Sequence, residues 1–236
     1  MELTVIEAKT IDDAFYQALN ACVNDGYEYT IDRGSYAGTK RKELDHVTIR
    51  IEYPGTRPLL PILPEGMAAP WDEEYVYSYL DKLMTTIRPE NTQYTYGERL
   101  NYVKGKSSAM LAPGVEVPIS SGESAFEVTT KMLKETPETN QACNEIGQPT
   151  DVWLNDPPCL RLLDKRVRYG KLHYITYWRS WDLWGALPAN LSALQLMKEL
   201  ESELLGVNDG EIIATSKGLH IYQYAFELAK ARLGKK

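Results

Sequence analysis

The sequence is poor in the residues that stabilise a protein without a large hydrophobic core. It contains only three cysteines and three histidines among 236 residues. The cysteines lie far apart, and no Cys and His stand at the spacing of a zinc site, so the sequence predicts neither a disulfide framework nor a bound metal. The first residues have neither a cationic start nor an apolar run. We therefore expect no signal peptide and a cytoplasmic protein.

Long apolar runs and an excess of positive charge are also missing. No stretch approaches the roughly 18 to 20 consecutive apolar residues that a membrane span needs. The chain has 26 Lys and Arg residues against 33 Asp and Glu residues, a net charge of −7. Binding of duplex nucleic acid needs a basic face that releases counterions. We therefore expect neither a membrane nor duplex nucleic acid as a partner.

What the sequence does contain is a hydrophobic fraction of 43%, enough for a substantial core at this length. Apolar spacing and capping residues predict helices over 10–26, from 72 onward, between 123 and 137, over 191–206 and over 221–233. Alternation predicts strands over 47–53, 171–178 and 212–215. The segments 54–70 and 105–123 are rich in Pro, or in Gly, Pro and Ser, and predict irregular structure. The pattern predicts one α+β domain over residues 1–236.

Cys159 is the candidate nucleophile. It follows Pro157 and Pro158, which restrict the approaching backbone. The cations near it in the sequence are Arg161, Lys165, Arg166, Arg168, Lys171 and Arg179. Positive neighbours favour the thiolate and so are expected to lower the pKa of the thiol. The alternative is a buried cysteine that packs as a small hydrophobe, which is our interpretation of Cys22 and Cys143.

The segment 178–190 is a second candidate. It holds three tryptophans, an arginine, an acid and an asparagine in thirteen positions. Each residue has a structural alternative, since the tryptophans could be core, Arg179 and Asp182 a surface ion pair, and Asn190 a helix cap. Taken one at a time, these residues leave the choice between structure and function open.

The combined spacing of these residues resembles the active-site framework of thymidylate synthase. In chain order the motifs are Pro-Pro-Cys159, Arg179-Ser180-x-Asp182, Leu187-Pro188-x-Asn190 and His220-x-Tyr222. The intervals are 20 residues from Cys159 to Arg179, 11 from Arg179 to Asn190 and 30 from Asn190 to His220. Tyr96-Gly97 resembles the family's Tyr-Gly motif, and SWDLWGALPANL is most similar to the compact archaeal-type branch. The resemblance implies an α+β fold, a single domain whose mixed β-sheet is flanked by helices, and a homodimer.

The resemblance also implies a reaction, the methylation of dUMP to dTMP. The donor of both carbon and hydride would be a 5,10-methylene reduced pterin, either 5,10-methylene-tetrahydrofolate or a methanopterin-type analogue, with no metal. The Cys159 thiolate would add to C6 of the pyrimidine and make C5 nucleophilic. Arg179 would stabilise the thiolate and the phosphate. Asn190 would accept a hydrogen bond from N3–H and donate one to O4, which selects uracil because a carboxylate could not donate to O4.

Further side-chain roles follow from the same resemblance. Asp182, which we count among the catalytic residues, would bond the pterin ring. Trp181 and Trp184 would form the apolar wall for that ring, with core packing as the alternative. The remaining residues are assigned to dUMP binding: Ser180 and Arg33 at the phosphate, the latter within the loop Asp32-Arg33-Gly34-Ser35, His220 and Tyr222 at the 3′-hydroxyl, and Tyr96.

The chain departs from the family pattern at several places. Residues 137–142 contain no counterpart of the Arg-Arg pair that each subunit lends to its partner's phosphate, Leu160 replaces a histidine, and residues 71–74 match the proton-relaying glutamate only loosely. After the last predicted helix we expect no counterpart of the tail that closes over the pterin in the family. A wet site would let water compete with hydride, so one alternative is a dUMP hydroxymethylase. The other is a non-catalytic nucleotide- or RNA-binding relative, against which the presence of Cys159 counts.

Overall fold

The computed structural model describes residues 1–34, 36–104, 107–112, 115–119 and 122–235. Ser35 of the Arg33 loop, and part of the segment 105–123, lie outside the described residues. The strands are β1 (Leu3–Ala8), β2 (Tyr27–Thr30), β3 (Lys40–Leu44), β4 (His46–Ile51), β5 (Ser107–Ala112), β6 (Val115–Ile119), β7 (Cys143–Glu145), β8 (Leu160–Arg168), β9 (Lys171–Trp178), β10 (Trp181–Asp182), β11 (Asn208–Ser216) and β12 (Leu219–Tyr222). The helices are α1 (Ile11–Asp25), α2 (Glu73–Met84), α3 (Tyr96–Leu100), α4 (Ala125–Glu135), α5 (Leu187–Leu205) and α6 (Phe226–Arg232).

A six-stranded mixed sheet in the order β1-β4-β11-β9-β8-β7 is the framework of the molecule. β1 pairs parallel with β4 and β11 parallel with β9, whereas the other pairs are antiparallel. The helices α1, α4 and α5 contact this sheet, and their apolar side chains share one hydrophobic core with it. The predicted α+β fold with a mixed sheet flanked by helices is confirmed.

A smaller four-stranded sheet in the order β10-β12-β3-β2 carries much of the site. Because side chains alternate across a strand, one face of this sheet presents Leu44, Leu219 and Ile221 to the core, each at most 3% exposed. The opposite face is polar. The register aligns one row as Tyr29–Arg41–Tyr222 and a second as Tyr27–Glu43–His220–Asp182.

The local signals in the sequence account for most elements. Thr10 caps α1 by accepting a hydrogen bond from the backbone N–H of Asp13 at 3.2 Å, Asp72 caps α2 in the same way, and Gly206 ends α5 in the left-handed conformation. The predicted helices at these positions and the strand 171–178 are confirmed. No helix in the described ranges is both long and apolar enough to cross a bilayer.

Two predictions about the chain were wrong. The helix expected over 221–233 is shorter, because residues up to Tyr222 pair with β3 as strand β12 and a 3-10 turn over Gln223–Ala225 precedes α6. The segment 105–123, expected to be irregular, contains the described strands β5 and β6, which pair antiparallel. In both places cross-strand pairing overrides weak local propensity.

Candidate active site

A β-hairpin brings Cys159 beside Arg179. β8 and β9 are joined at Tyr169 and Gly170, whose φ angles of 54° and 68° are both positive, as a tight two-residue hairpin turn requires. The register shifts between Leu160 and Leu162, so Arg161 is the extra residue of a β-bulge. The backbone N–H of Arg179 then donates to the carbonyl of Cys159 at 2.8 Å. Cys159 and Arg179 are thus 20 residues apart in the sequence because the hairpin pairs them across its two strands.

The thiol of Cys159 lies half-buried between groups of opposite effect. Burial raises its pKa, while the positive charges of Arg179 and Arg41 and a hydrogen bond with Tyr96 act in the opposite direction. The net pKa is raised, so the predicted net lowering by neighbouring cations was wrong in direction. Two of the cations named from the sequence are bound elsewhere, Arg161 to Asp151 and Lys165 to Glu201.

Arg179 holds the segment that leads into the nucleophile. Its Nε donates to the carbonyls of Pro157 and Pro158 at 3.1 and 3.2 Å, and its Nη2 lies 2.8 Å from a carboxylate oxygen of Asp156. Its side chain remains 27% exposed. Arg179 therefore fixes the approach to Cys159 and still presents charge to solvent.

Tyr96 supports the nucleophile from the other side. Its hydroxyl accepts a hydrogen bond from the N–H of Leu160 at 3.2 Å, and burial raises its pKa. The following Gly97 is required by packing, since a Cβ there would lie 2.0 Å from the carbonyl of Lys82 and 2.2 Å from that of Thr85. Tyr96 also lines a cleft of about 590 Å³ together with Tyr79 and Tyr94.

His220 and Tyr222 lie on the polar face of the small sheet. Their rings form an edge-to-face pair with centroids 4.6 Å apart. His220 Nδ1 is 2.8 Å from the carbonyl of Gly218, so Nδ1 carries the proton, and Nε2 is an acceptor that has no partner among the described residues. Burial and the charge of Arg41 lower the pKa of His220 to about 3. The imidazole is therefore neutral at physiological pH.

This neutral state predicts a pH dependence of stability. In the unfolded chain the imidazole of His220 becomes protonated as the pH falls through about 6.5, whereas in the folded protein it stays neutral. The free energy of unfolding should therefore fall by about 2 kcal/mol from this residue alone when the pH is lowered from 7 to 5. Denaturant titrations at the two pH values should show that this part of the loss disappears in His220→Asn. It should persist in His46→Asn, which alters a half-buried histidine of β4. An equal loss in wild type and His220→Asn would contradict the assignment.

The two carboxylate oxygens of Asp182 have different hydrogen-bond partners. Oδ1 accepts hydrogen bonds from the N–H groups of Trp184 and Gly185 at 3.1 and 2.9 Å, and Oδ2 lies 3.5 Å from the hydroxyl of Tyr224. Burial raises the pKa of this carboxyl. Asp182 stands beside His220 in the sheet register, so it belongs to the same polar face.

Asn190 and the tryptophans are more deeply buried. The indole N–H of Trp181 donates to Asn190 Oδ1 at 2.9 Å, and Trp181 stacks on Trp178 with centroids 4.3 Å apart. Trp181 is 2% exposed and Trp184 1%. Both tryptophans thus occupy the core, which is the structural alternative for them, and their role as a wall for a pterin stays a prediction.

Arg33 lies on an exposed loop above this face. The loop is closed by hydrogen bonds between Ile31 and Thr39 at 3.0 Å and between Gly38 and Ile31 at 2.9 Å. Within it, Tyr36 stacks on Tyr222 with centroids 4.1 Å apart. Arg33 itself is exposed. The stack between Tyr36 and Tyr222 holds the loop against the polar face.

Sequence reasoning missed Arg41. This residue of β3 lies in the middle of the polar face, and its Nη2 is 3.5 Å from the hydroxyl oxygen of Ser180. Its segment reads Lys-Arg-Lys-Glu-Leu and lacks the β-branched and aromatic residues that mark a strand. The only available signal was its position between the Arg33 loop and the predicted strand 47–53.

The described residues contain no group of three His, Cys, Asp or Glu side chains that could hold a metal ion. The side chains that converge are instead a thiol, two guanidiniums, a hydroxyl, a neutral imidazole and a carboxylate. Such a set can bind a phosphorylated ligand and attack it with sulfur.

Comparisons with known proteins found similar sequences and a similar fold. The sequence profile of the family described as "Thymidylate synthase" matches residues 67–236. A protein of Methanosarcina mazei named "putative thymidylate synthase" is 31% identical over 227 residues, 96% of this chain and 93% of that protein. One of the same name from Methanothermobacter thermautotrophicus is 26% identical over 95% of this chain and 96% of its own length. The solved thermostable thymidylate synthase A from Bacillus subtilis has a TM-score of 0.69 at 15% identity, covering 97% of this chain and 85% of that one.

Proposed function

The chain belongs to the thymidylate synthase family, and on that premise we propose that it converts dUMP to dTMP with Cys159 as the nucleophile. The observation that carries the proposal is the half-buried thiol of Cys159, within reach of the charges of Arg179 and Arg41 and of the Tyr96 hydroxyl. A nucleophilic cysteine needs cationic neighbours and partial access. The other two cysteines differ. Burial raises the pKa of Cys22, which is 0% exposed, to about 12, and burial together with the charges of Asp164 and Glu145 raises that of Cys143 to about 11.

The chain's own residues make the pyrimidine reactive. As the thiolate forms its bond from sulfur to C6, the electron pair of the C5–C6 double bond moves toward O4 and leaves C5 nucleophilic. A 5,10-methylene reduced pterin, when bound, supplies the one-carbon unit and the hydride. Loss of the proton from C5 and release of the sulfur from C6 then restore Cys159. Because burial disfavours the thiolate, Arg179 and Arg41 are needed to make it accessible.

Recognition of uracil is assigned to Asn190. Its Oδ1 accepts the Trp181 N–H, which fixes the amide plane, and its Nδ2 makes no hydrogen bond with the described residues. That orientation leaves a donor for O4 and a second lone pair on Oδ1 for N3–H. The assignment of His220 Nε2 and Tyr222 to the 3′-hydroxyl is supported by the shared face and by the unpartnered Nε2.

The pterin is assigned to the groups around Cys159 and Asp182. The ring carries N–H donors, and Asp182 offers a carboxylate whose Oδ2 makes, among the described residues, one long hydrogen bond, with the hydroxyl of Tyr224. The cleft beside Tyr96 adds an aromatic surface large enough for a ring system. We propose tetrahydrofolate or a methanopterin-type analogue as the donor, and a reducing, cytoplasmic setting, which the three free thiols support.

A homodimer through the large sheet is part of the proposal. The helices α1, α4 and α5 contact this sheet. One face of the sheet is buried, whereas residues of the other face are half-buried or exposed, among them Thr48, Arg50, His173 and Thr215. That face carries Ile175 and Ile213, neighbours in register and half-buried. A partly apolar, partly exposed face is typical of an oligomer interface.

The dimer gives a prediction of its own. In Ile175→Glu a new carboxylate would stand next to Asp164 across β8 and β9, and two like charges buried at an interface oppose association. Sedimentation should show a shift from dimer to monomer. The control Leu204→Glu changes a 66% exposed residue of α5 and should leave the dimer intact. A wild-type chain that sediments as a monomer would refute the homodimer.

The reaction itself is tested by incubating the protein with dUMP and either methylene-tetrahydrofolate or the methanopterin analogue, and separating the products. We expect dTMP. Formation of 5-hydroxymethyl-dUMP instead would assign the hydroxymethylase. Nucleotide binding without either product, with both pterins, would assign a non-catalytic relative.

A further inference from the structure

Arg41 occupies the centre of the polar face of the small sheet. In register it stands between Tyr29 of β2 and Tyr222 of β12, and its guanidinium carbon lies 5.8 and 5.9 Å from the centroids of the two rings. Its side chain is only 16% exposed. A guanidinium held by two rings is already oriented, so binding a ligand costs it little further conformational entropy.

The hydrogen-bonding capacity of Arg41 is only partly used. Nη2 bonds the carboxylate of Glu43 and lies 3.5 Å from Ser180 Oγ. Nε is buried and has no partner among the described residues. A guanidinium has five N–H donors, and donors left unsatisfied in a partly buried place are costly until an acceptor arrives.

The charge of Arg41 reaches the groups that the proposed reaction uses. It opposes the effect of burial on the pKa of Cys159 and on that of Asp182, and it helps to lower the pKa of His220. His220 and Asp182 lie on the polar face itself, and Cys159 directly precedes β8. Together with the 3.5 Å distance from its Nη2 to Ser180 Oγ, these effects group Arg41 with the residues of the candidate site.

We propose that Arg41 is a further anchor for the phosphate of the nucleotide, beside Ser180, which the family resemblance already assigns to that phosphate. This inference rests on the proposed function, because it names the group that holds one part of the proposed substrate. Residues 137–142, which contain no arginine, need not contribute.

A phosphate is the ligand that matches this pair. It accepts charge-assisted hydrogen bonds from a guanidinium and a further bond from a hydroxyl, whereas a neutral base carbonyl makes weaker hydrogen bonds to the same donors. The carboxylate of Glu43 does not take the place of the phosphate, since its Oε2 is already bound by Arg41 and by the hydroxyl of Tyr29 at 3.2 Å. The carboxylate keeps the guanidinium in position.

The first test compares dUMP with deoxyuridine in calorimetric titrations. In Arg41→Met the dissociation constant of dUMP should rise roughly 10- to 100-fold, while that of deoxyuridine changes less than about twofold. Arg41→Lys keeps the positive charge but loses the planar pair of N–H donors. Its dissociation constant for dUMP should lie between those of the wild type and Arg41→Met. The matched control is Lys40→Met, which alters the neighbouring exposed residue of β3, bound to Glu28 on the opposite face. An equal loss for both ligands, or none for dUMP, would overturn the proposal.

The second test needs neither pyrimidine nor pterin. Inorganic phosphate should slow alkylation of Cys159 by iodoacetamide in the wild type and in Lys40→Met, but not in Arg41→Met, with Cys143 as the internal reference in peptide mass spectra. Equal slowing in Arg41→Met, or none in the wild type, would refute the anchor. A protein that shows this protection but makes no dTMP would refute the proposed function alone, and dTMP formation without it would refute the anchor alone.

Discussion

Replacing Cys159 by serine is expected to lower kcat for dTMP formation by roughly 10⁴-fold or more, the scale of losing an enzyme's nucleophile. A hydroxyl is a far weaker acid than a thiol, so the variant presents almost no anion to C6. The dissociation constant of dUMP should stay within about threefold, because the groups assigned to phosphate, sugar and base are untouched. Measurement of kcat and of dUMP binding on the same preparation separates the two effects.

The structure explains why this variant should remain folded. The bonds that hold the segment run from the backbone, from Arg179 N–H to the Cys159 carbonyl at 2.8 Å and from Leu160 N–H to Tyr96 at 3.2 Å. The matched control is Cys143→Ser on β7, whose thiol is half-buried and has its pKa raised to about 11. That variant should keep wild-type turnover. Turnover above about one per cent of wild type in Cys159→Ser would remove Cys159 from the chemistry.

Replacing Asn190 by aspartate is expected to change the preferred base. A carboxylate can accept from the exocyclic amine of cytosine but cannot donate to O4 of uracil. An unmatched buried polar pair costs roughly 100-fold or more in discrimination. The ratio of kcat/KM for dUMP to that for dCMP should therefore fall by about that factor or more, measured with both nucleotides under identical conditions.

Asn190→Asp is a clean substitution because it keeps the acceptor for the Trp181 indole, which lies 2.9 Å from Oδ1. Asn190→Leu serves as the control, since it removes that acceptor as well as the donor. It should lose activity with both nucleotides and lower the Tm, because Trp181 is buried and would be left unsatisfied. A dUMP to dCMP ratio unchanged in Asn190→Asp would take Asn190 out of the pyrimidine site.

The sequence could predict the parts of the site that depend on local order. Cys159 and Arg179 meet through one hairpin, and its alternating β9 strand is visible in the sequence. His220 and Tyr222 share a face because they stand two apart in a strand. Helices α1, α2 and α5 were recognisable from their caps and apolar spacing.

The remainder depended on tertiary structure. Arg41 reaches the site from a strand of charged residues more than a hundred positions before Cys159 in the sequence, and its neighbours across the sheet come from both ends of the chain. The cations that follow Cys159 in the sequence do not stay near its thiol, because successive side chains of β8 point to opposite faces of the sheet. Lys165 thereby points into the core, where it pairs with Glu201. The raised pKa of Cys159 follows from burial, which no spacing of charges encodes.

The most direct measurement of the central claim is the mass of the peptide containing Cys159 after incubation with 5-fluoro-dUMP and the methylene pterin that supports turnover. Fluorine at C5 cannot leave as a cation, so the reaction should stop with the sulfur still bound to C6. We predict a nucleotide adduct on Cys159 in the wild type and none in Cys159→Ser. Formation of dTMP from dUMP by a protein that shows no adduct at Cys159, or an adduct that persists in Cys159→Ser, would contradict the account.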